Sequence, residues 1–369
     1  MDAGTVDWRA RAADFARDHV TPAAASMDRT DRFPTALRSA LRDSGLMGLG
    51  LPPEWGGAGG RTRDLVAVLE ELSAASAAVA VYLAVHLSVV ATPILDRGTD
   101  AQRTRYLRPL ATGGMLGAFA LTEPGAGSDA ASVACRAERT PGGYVLTGSK
   151  MFITNAAAAD LVLLFATTDP ALGRRGITGF LVRRDAAGYG IAQHLDKLGL
   201  RGSETNEIVL DHLEIGADDR LGPEGEGLPI ALAALAGGRV GIAACALGVG
   251  RAALETMIEA TRAEPADWKR AHVARAYAEI SAARALVDRA ALAKDDGRPF
   301  VELASAAKLF ASSAAMRAAH AAFEVVGPAA ARADATAGRI LRDARVFPIV
   351  EGTTEIQELI LGRALVGPG

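Results

Sequence analysis

Cysteine is scarce in this chain, and positive charge is not in excess. Only Cys135 and Cys245 occur among the 369 residues, too few for a disulfide framework and without the spacing of a metal site. We therefore expect no metal, a reducing cytoplasmic compartment and a core position for each thiol. Lysine and arginine total 40 against 43 aspartates and glutamates, and this net charge of -3 provides no basic field for nucleic acid.

Long apolar runs that would direct the chain to a membrane are also missing. The N-terminal stretch MDAGTVDWRARAADFARDHV is acidic and has no apolar core, so it predicts a helix rather than a targeting segment. Ser73–Leu95 has no formally charged residue and is long enough to cross a bilayer. Alanine and serine make it weakly apolar, however, His86 and Pro93 interrupt it, and no basic flank sets an orientation. We interpret it as a buried helix pair, with no membrane span.

The composition, 50% hydrophobic and 22% charged, is that of a globular protein with a large core. Its pattern changes twice along the chain. Residues 1–114 read as helices, residues 115–222 as short strands punctuated by glycine, and residues 223–369 as long alanine-rich helices. The pattern predicts an α+β chain of three domains with these boundaries. The predicted strand segments are FALTE, GYVLTG, KMFITN, DLVLLFATT, GITGFLV and NEIVLDHLEI.

An acidic residue, Glu351, interrupts the mostly apolar stretch VFPIVEGTTEIQELI. Pro348 ends the preceding helix because proline has no amide hydrogen. Thr354 and Gln357 have the spacing of a capping box, so a new helix is predicted to begin there and Glu351 to lie on a short loop. The predicted buried stripe of that helix is Ile356, Leu359 and Ile360. Taken alone, the carboxylate reads as a surface charge near a helix N-terminus, where the macrodipole favours it.

A glycine-rich loop, LTEPGAGSD, follows a predicted strand. It is not a dinucleotide-binding fingerprint, because alanine occupies position 130, where G-x-G-x-x-G requires glycine, and no helix pattern follows. Thr122, Ser128 and the amides freed by Gly125 and Gly127 form a donor set suited to a phosphate or a polar ring edge. A tight structural turn is the alternative for this loop taken alone.

Five motifs occur in the order and spacing of one enzyme family, and the chain resembles that family from end to end. They are FALTEPGAGSD, GSKMFITN, DKLGLRGSETNEIVLD, GRVGIAACALG and RDARVFPIVEGTTEIQ. The family is the FAD-dependent acyl-CoA dehydrogenases. The resemblance implies the acyl-CoA dehydrogenase fold: a helical N-terminal domain, a central antiparallel β-barrel-like domain and a C-terminal four-helix bundle, with FAD between the last two.

The resemblance also implies roles for individual residues. Glu351 matches the catalytic base, which removes the proton alpha to a thioester carbonyl while the amide of that glutamate and a flavin ribityl hydroxyl hold the carbonyl. So weakly acidic a proton requires a desolvated base with a raised pKa. The positions that match FAD contacts are Leu121, Thr122, Gly127, Ser128, Phe152, Ile153, Thr154, Thr353, Glu355 and Gln357. The positions that match substrate contacts are Ser128, Arg239 and Gly352.

Some of these positions also have simpler interpretations. Phe152 would serve equally in core packing, and Arg239 in a salt bridge. The LRGSET segment is expected to stabilise the β-domain, through Arg201, Ser203 and Thr205.

The identity of the base has one family alternative. Some members carry it on a helix of the C-terminal domain, where the matching position here is Ala231 and the stretch IALAALAGG has no carboxylate. Glu351 is then the candidate that remains. Val350 replaces the tyrosine that usually precedes this glutamate, and valine makes the pocket drier or differently shaped.

Two segments that family members use to contact a neighbouring subunit's FAD depart from the family pattern. R-x-x-F-G is absent from ATRAEPADWKRAHVARAYAEI, in which Pro265 interrupts the helix. Q-x-x-G-G reads Glu324-Val-Val-Gly327-Pro328, so a carboxylate replaces the amide and a backbone donor is lost. In one explanation other basic residues take over within a homo-oligomer, the candidates being Lys269 and Arg270. In the other, a related subunit of a heteromer supplies the contacts.

The resemblance implies FAD-dependent α,β-dehydrogenation of an acyl thioester, with electrons passed to an electron-transfer flavoprotein. A thioester oxidase or a flavin monooxygenase on the same fold is one alternative, although a monooxygenase would not need the glutamate. A non-catalytic or half-site subunit of a heteromer is another, although the intact motifs argue against it. The acyl group, and whether coenzyme A or a carrier protein bears it, stay open.

Overall fold

The computed structural model describes residues 6–367, so residues 1–5 and 368–369 of the first and last predicted domains lie outside the described residues. The first part of the chain is helical, as its pattern predicts. Its helices are α1 (Trp8–Phe15), α2 (Thr21–Thr30), α3 (Thr35–Asp43), α4 (Thr62–Ala75), α5 (Ala77–Ala84), α6 (Thr92–Arg97), α7 (Asp100–Gln102) and α8 (Arg108–Ala111). Turns of π-helix at Ala16–Val20, Val85–Ala91 and Arg103–Leu107 make α1–α2, α5–α6 and α7–α8 continuous.

The uncharged segment is the end of α4 followed by one continuous helix, Ala77–Arg97. The break falls at Ser76, which is extended, and not at His86 or Pro93 as predicted. Pro93 lies in the first turn of α6, after a wide π-helical turn that tolerates the missing amide hydrogen. Ala77–Arg97 and Gly227–Ala263 are long and apolar enough to cross a membrane, but 89% and 78% of their apolar windows are buried inside the protein, which is typical of core helices.

The middle part is an eight-stranded sheet of order β6-β7-β3-β2-β4-β5-β8, with β1 paired to β4. The strands are β1 (Gly117–Ala120), β2 (Arg136–Thr140), β3 (Gly143–Thr154), β4 (Leu161–Thr167), β5 (Ile177–Arg183), β6 (Tyr189–His194), β7 (Thr205–Gly216) and β8 (Arg220–Leu221). Most pairs are antiparallel, as the resemblance implies, but β1–β4 and β2–β4 are parallel. The hairpin β2–β3 provides the crossover that a parallel β1–β4 pair requires.

The predicted set of strands needs correction in two respects. GYVLTG and KMFITN belong to the single strand β3, whose register against β7 shifts between Lys150 and Ile153. The two-residue strand β8 was not predicted. Strands β2 and β6 were not predicted either, because β2 has one buried residue and β6 has none. Without an apolar alternation, the pattern gives no strand signal, and pairing with β3 and β7 forms these strands instead.

The last part is built on α9 (Gly227–Ala263), α10 (Asp267–Asp295) and α11 (Val301–Val326), followed by the shorter α12 (Thr336–Ala344) and α13 (Thr354–Val366). Helix α9 packs between the sheet and the first part. A Cβ atom at Gly227 would lie 2.6 Å from the Thr178 backbone of β5, and one at Gly248 would lie 2.4 Å from the Glu70 carbonyl oxygen of α4. Glycine is therefore required where α9 approaches each neighbour.

Helix α12 is fastened to both other parts of the chain. Asp343 accepts a hydrogen bond of 2.6 Å from the Leu200 amide in the β-domain, and Arg342 pairs with Asp28 of α2 at 2.5 Å. Arg201 donates to the Asp28 carbonyl oxygen at 2.6 Å, so the LRGSET segment is joined to α2; its stabilisation of the β-domain stays a prediction. These contacts fix the helix that leads directly into the Glu351 turn.

Candidate active site

Glu351 lies on the turn between α12 and α13, as predicted. Its φ of 54° and the φ of 96° at Gly352 are both left-handed. Thr353 caps α13 by accepting a hydrogen bond from the Ile356 amide at 3.4 Å. The capping box predicted for Thr354 and Gln357 is therefore wrong by one residue.

The surface of α13 also differs from the prediction. Gln357 is its buried residue, whereas Leu359 is 50% exposed and Ile356 and Ile360 are half-buried. The stripe prediction is wrong because a polar residue, rather than the isoleucines and leucine, faces inward. Gln357 Nε2 donates to the carbonyl oxygens of Glu351 at 3.4 Å and Gly352 at 2.9 Å, so it supports the turn that precedes its own helix.

The Glu351 carboxylate rests against α9 at Gly238. A Cβ atom at that position would lie 2.2 Å from Oε2, so only glycine leaves room for the carboxylate as it stands. Oε2 is buried and has no hydrogen-bond partner among the described residues. Burial raises the pKa of Glu351 to about 8, against the opposing effect of the positive charges of Arg239 and Lys308.

Two cations hold the turn through its backbone. Buried Arg239 of α9 donates from Nε to the Glu351 carbonyl oxygen at 3.4 Å. Lys308 of α11 is fully buried, and its Nζ donates to the carbonyl oxygens of Pro348 at 3.2 Å and Gly352 at 2.7 Å. Burial lowers the pKa of Lys308 to about 8. The candidate base is thus a desolvated carboxyl between two buried cations.

A second group of predicted site residues lies on the β-domain, where the loop after β1 meets β3. The Met151 amide donates to the Thr122 carbonyl oxygen at 2.9 Å. Buried Lys150 donates to the Leu121 carbonyl oxygen at 3.1 Å and to Glu123 at 2.8 Å. The Glu123 carboxylate also accepts the amides of Ala134 and Cys135, which closes the glycine-rich loop. The loop is therefore held by a buried ion pair and does not depend on its glycines alone.

The residues present fit a flavin. Phe152 is 66% exposed and has a φ of 61°, so its ring is not used in core packing and offers an aromatic face for stacking. On the helical side, Gln357 Oε1 is buried without a hydrogen-bond partner among the described residues. The residues that would hold FAD are Leu121, Thr122, Gly127, Ser128, Phe152, Ile153 and Thr154 from the β-domain, with Thr353, Glu355 and Gln357 from the turn and α13.

The residues predicted to contact the substrate lie in different places. Arg239 and Gly352 lie at the Glu351 turn, whereas Ser128 is exposed on the glycine-rich loop. The two basic residues proposed as substitutes in a homo-oligomer pair locally, Lys269 with Glu264 and Arg270 with Asp267. Their contact with a neighbouring subunit stays a prediction, as do the roles of the individual flavin and substrate contacts.

For three residues beside the candidate base, the position or the role was not identified from the sequence. The α9 residue against the carboxylate is Gly238, which was not singled out; it lies two turns, about 10 Å along the helix axis, beyond Ala231, the position matched to the alternative base. Lys308 carried a signal that could have been noticed, since it is the one charged residue in ASAAKLFASSAAM. A lone lysine in an apolar helix needs a buried acceptor. For Gln357 the FAD contact was predicted, but its support of the turn was not.

Family models match almost the whole chain. The acyl-CoA dehydrogenase N-terminal domain matches residues 5–114, the middle domain residues 118–213 and the C-terminal domain residues 225–366. Among curated relatives, an acyl-CoA dehydrogenase of Bacillus subtilis (strain 168) is 43% identical over 365 residues, which covers 96% of each chain.

Solved structures agree with this match. Butyryl-CoA dehydrogenase from Megasphaera elsdenii has a TM-score of 0.96 and 36% identity, covering 99% of this chain and 100% of that one. A chain from a structure described as an electron transferring flavoprotein of Acidaminococcus fermentans has a TM-score of 0.97 and 34% identity, with 100% of each chain covered. The likeness extends over the helical, β and helical parts together.

Proposed function

The chain belongs to the acyl-CoA dehydrogenase family and is therefore an FAD-dependent flavoprotein oxidoreductase, and from this premise we propose that it dehydrogenates an acyl thioester between its alpha and beta carbons, with Glu351 as the base. The observation that carries the proposal is the position of the Glu351 carboxylate. It is enclosed against Gly238, lies in the field of the positive charges of Arg239 and Lys308, and has an Oε2 atom with no hydrogen-bond partner within residues 6–367. A group in that setting can accept a proton from a bound substrate.

The raised pKa supports this role. The proton alpha to a thioester is weakly acidic, and a base is most effective when its pKa lies near the working pH. Burial brings the pKa of Glu351 to about 8, so a substantial fraction ionises in mildly alkaline solution. Once ionised, Glu351 takes the alpha proton onto a carboxylate oxygen. Bound FAD supplies the acceptor for the hydride that leaves the beta carbon.

The turn can also stabilise the developing enolate. The Glu351 amide donates no hydrogen bond within the described residues, although neighbouring amides of the turn do: Ile349 and Val350 both donate to the Val346 carbonyl oxygen. An unpaired amide beside the base is suited to the thioester carbonyl oxygen, whose negative charge grows as the proton leaves. The same residue would then supply both the base and an oxyanion donor.

The test is the Glu351→Gln variant of the FAD-loaded enzyme. Glutamine keeps the size of the side chain and removes the base, so flavin reduction under anaerobic conditions should fall by at least about a hundredfold. Wild type is first titrated with butyryl-CoA and with branched and aromatic acyl-CoA thioesters, and the thioester that bleaches its flavin fastest is used for the variant. Reduction of the Glu351→Gln flavin at the wild-type rate would refute the assignment.

The proposal also includes the protein that accepts the electrons and the oligomeric state of the enzyme. We infer that an electron-transfer flavoprotein accepts the electrons, in a reducing cytoplasm compatible with the two free cysteines. Rapid peroxide release with oxygen alone would indicate an oxidase instead. The exposed apolar side chains of Leu359, Leu365 and Val366 on α13 support an oligomer. Stoichiometric FAD in the chain purified alone would favour a homo-oligomer over the heteromer.

A further inference from the structure

Lys308 is placed to act on the candidate base without touching its carboxylate. The lysine side chain is fully buried in α11, and its ammonium bonds to Pro348 and Gly352, which flank Glu351 in the chain. One group thus joins the two ends of the five-residue turn 348–352. No other described side chain donates to both of these carbonyl oxygens.

The turn needs such support because its backbone is strained. Glu351 has a left-handed φ of 54°, which is uncommon for a residue with a long side chain and persists only where the surroundings enforce it. The Pro348 carbonyl oxygen also accepts the Thr354 amide at 2.9 Å, and that of Gly352 also accepts Gln357 Nε2 at 2.9 Å. The ammonium of Lys308 bonds to both of these carbonyl oxygens. One buried cation therefore joins the start of the turn to the start of α13.

The positive charge of Lys308 also acts on the Glu351 carboxylate. The charged or titratable groups that act on Glu351 or on its cations are Arg239 and Cys245 from α9, Lys308 from α11 and Glu355 from α13. Arg239 and Lys308 favour the ionised carboxylate, and Glu351 in turn favours the protonated lysine. Burial opposes ionisation of both groups, so each depends on the charge of the other.

We propose that Lys308 is a positioning residue for the catalytic base, one that fixes the Glu351 turn and supplies positive charge that allows the carboxylate to ionise. The proposal rests on the proposed function of Glu351. It differs from a purely structural role in one respect: it requires the cation, and not only the volume of the side chain. Removal of the charge should therefore change how the reaction depends on pH.

The experiment compares Lys308→Met and Lys308→Arg in the FAD-loaded enzyme. The rate of anaerobic flavin reduction is measured from pH 6 to 10, with the acyl-CoA thioester that reduces the wild-type flavin fastest. Methionine fills the space without charge, so we expect the pH midpoint of the rate to rise by about one unit, a roughly tenfold loss at pH 7, with a smaller change in KM than in kcat. Arginine keeps the charge and should restore the midpoint.

Lys197→Met is the matched control, because Lys197 is another lysine with a side chain only 17% exposed, it lies 3.7 Å from Asp31, and it is not among the charges that act on Glu351. It should leave the midpoint unchanged. If Lys308→Met does not fold or does not retain FAD, Lys308→Gln takes its place with the same expectation, since it too removes the charge. A loss of rate that is equal at every pH, with an unshifted midpoint, would overturn the proposal and leave a structural lysine.

Glu351→Gln in the same assay separates the two proposals. If Glu351→Gln is inactive while Lys308→Met keeps the wild-type rate and midpoint, only the role of Lys308 fails. If Glu351→Gln reduces its flavin normally, the base itself is misassigned and the proposal for Lys308 fails with it.

Discussion

A single methyl group at Gly238 should separate the activity of this enzyme from its stability. Gly238 lies inside α9, and its missing side chain is the space that the Glu351 carboxylate occupies. In Gly238→Ala the new Cβ would start 2.2 Å from Oε2 and 2.8 Å from the other two carboxyl atoms. The carboxylate is the flexible end of a side chain, so it can move away without unfolding the helix.

The sizes of the expected loss of rate and gain of stability follow from this geometry. Ordinary van der Waals contact begins near 3.4 Å, so Oε2 must move by about 1 Å or more. A displacement of about 1 Å at reacting atoms is expected to cost about a hundredfold in rate. Replacing glycine by alanine inside a helix stabilises it by about 0.5–1 kcal/mol, because the unfolded chain loses conformational freedom. We therefore expect a much slower enzyme whose melting temperature is equal or slightly higher.

Two measurements test this expectation: the rate of anaerobic flavin reduction, and the melting temperature of the FAD-loaded enzyme. Gly362→Ala is the control, since Gly362 is also inside a helix, α13, and a Cβ there meets no atom within 4 Å. It should gain the same stability and lose no activity. A wild-type rate in Gly238→Ala would refute the inference that the carboxylate reacts from its place against α9. Parallel loss of rate and melting temperature would refute it as well, because the cause would be misfolding.

Three further predictions concern pH and buried charge. The native pKa of Glu351 is raised from 4.5 to about 8, so its contribution to stability is full below pH 4.5 and is lost as pH rises through 8; thermal melts of Glu351→Gln should lack that decline. Burial likewise raises the pKa of Asp343 from 3.8 to about 6, so ionisation of this side chain destabilises the wild type above pH 6. Asparagine at this position keeps an acceptor for the Leu200 amide. The melting temperature of Asp343→Asn should therefore exceed that of wild type above pH 6 and match it near pH 4. Glu70 is fully buried and accepts Arg9 at 2.9 Å and Arg284 at 2.7 Å. In Glu70→Ala, Arg9 keeps Glu71 but Arg284 loses its carboxylate partner, so the variant should lose about 1–3 kcal/mol in denaturant unfolding.

The order of helical, β and helical parts could be predicted from sequence because each part carries its own local signal. Alanine-rich helices and glycine-punctuated strands differ in period and in composition over many residues. The position of Glu351 between two helices was predictable for a similar reason, since Pro348 and the threonines of the next helix lie on either side of it, although α12 already ends at Ala344. Strands β2 and β6 gave no such signal, because their side chains are mostly exposed and pairing alone defines them.

The chemistry around Glu351 was only partly predictable, because it depends on residues that are distant in the chain. Gly238 and Lys308 are far from Glu351 in sequence, and no local period relates them to it. The stripe predicted for α13 failed for a different reason. Its leucine and isoleucines are apolar, but apolar side chains are common on protein surfaces, whereas a buried glutamine is informative only once its acceptors are known.

The glycine contacts of α9 have a consequence for how the length of this helix can vary. Gly227 lies against β5, Gly238 against the Glu351 carboxylate and Gly248 against α4, so the spacing of these three contacts is fixed along one rigid helix. One inserted residue would turn every later side chain by about 100° and advance it by about 1.5 Å. All contacts beyond the insertion would be lost together, and a loop elsewhere could not compensate. We therefore expect natural insertions and deletions among homologues to spare the span between Gly227 and Gly248.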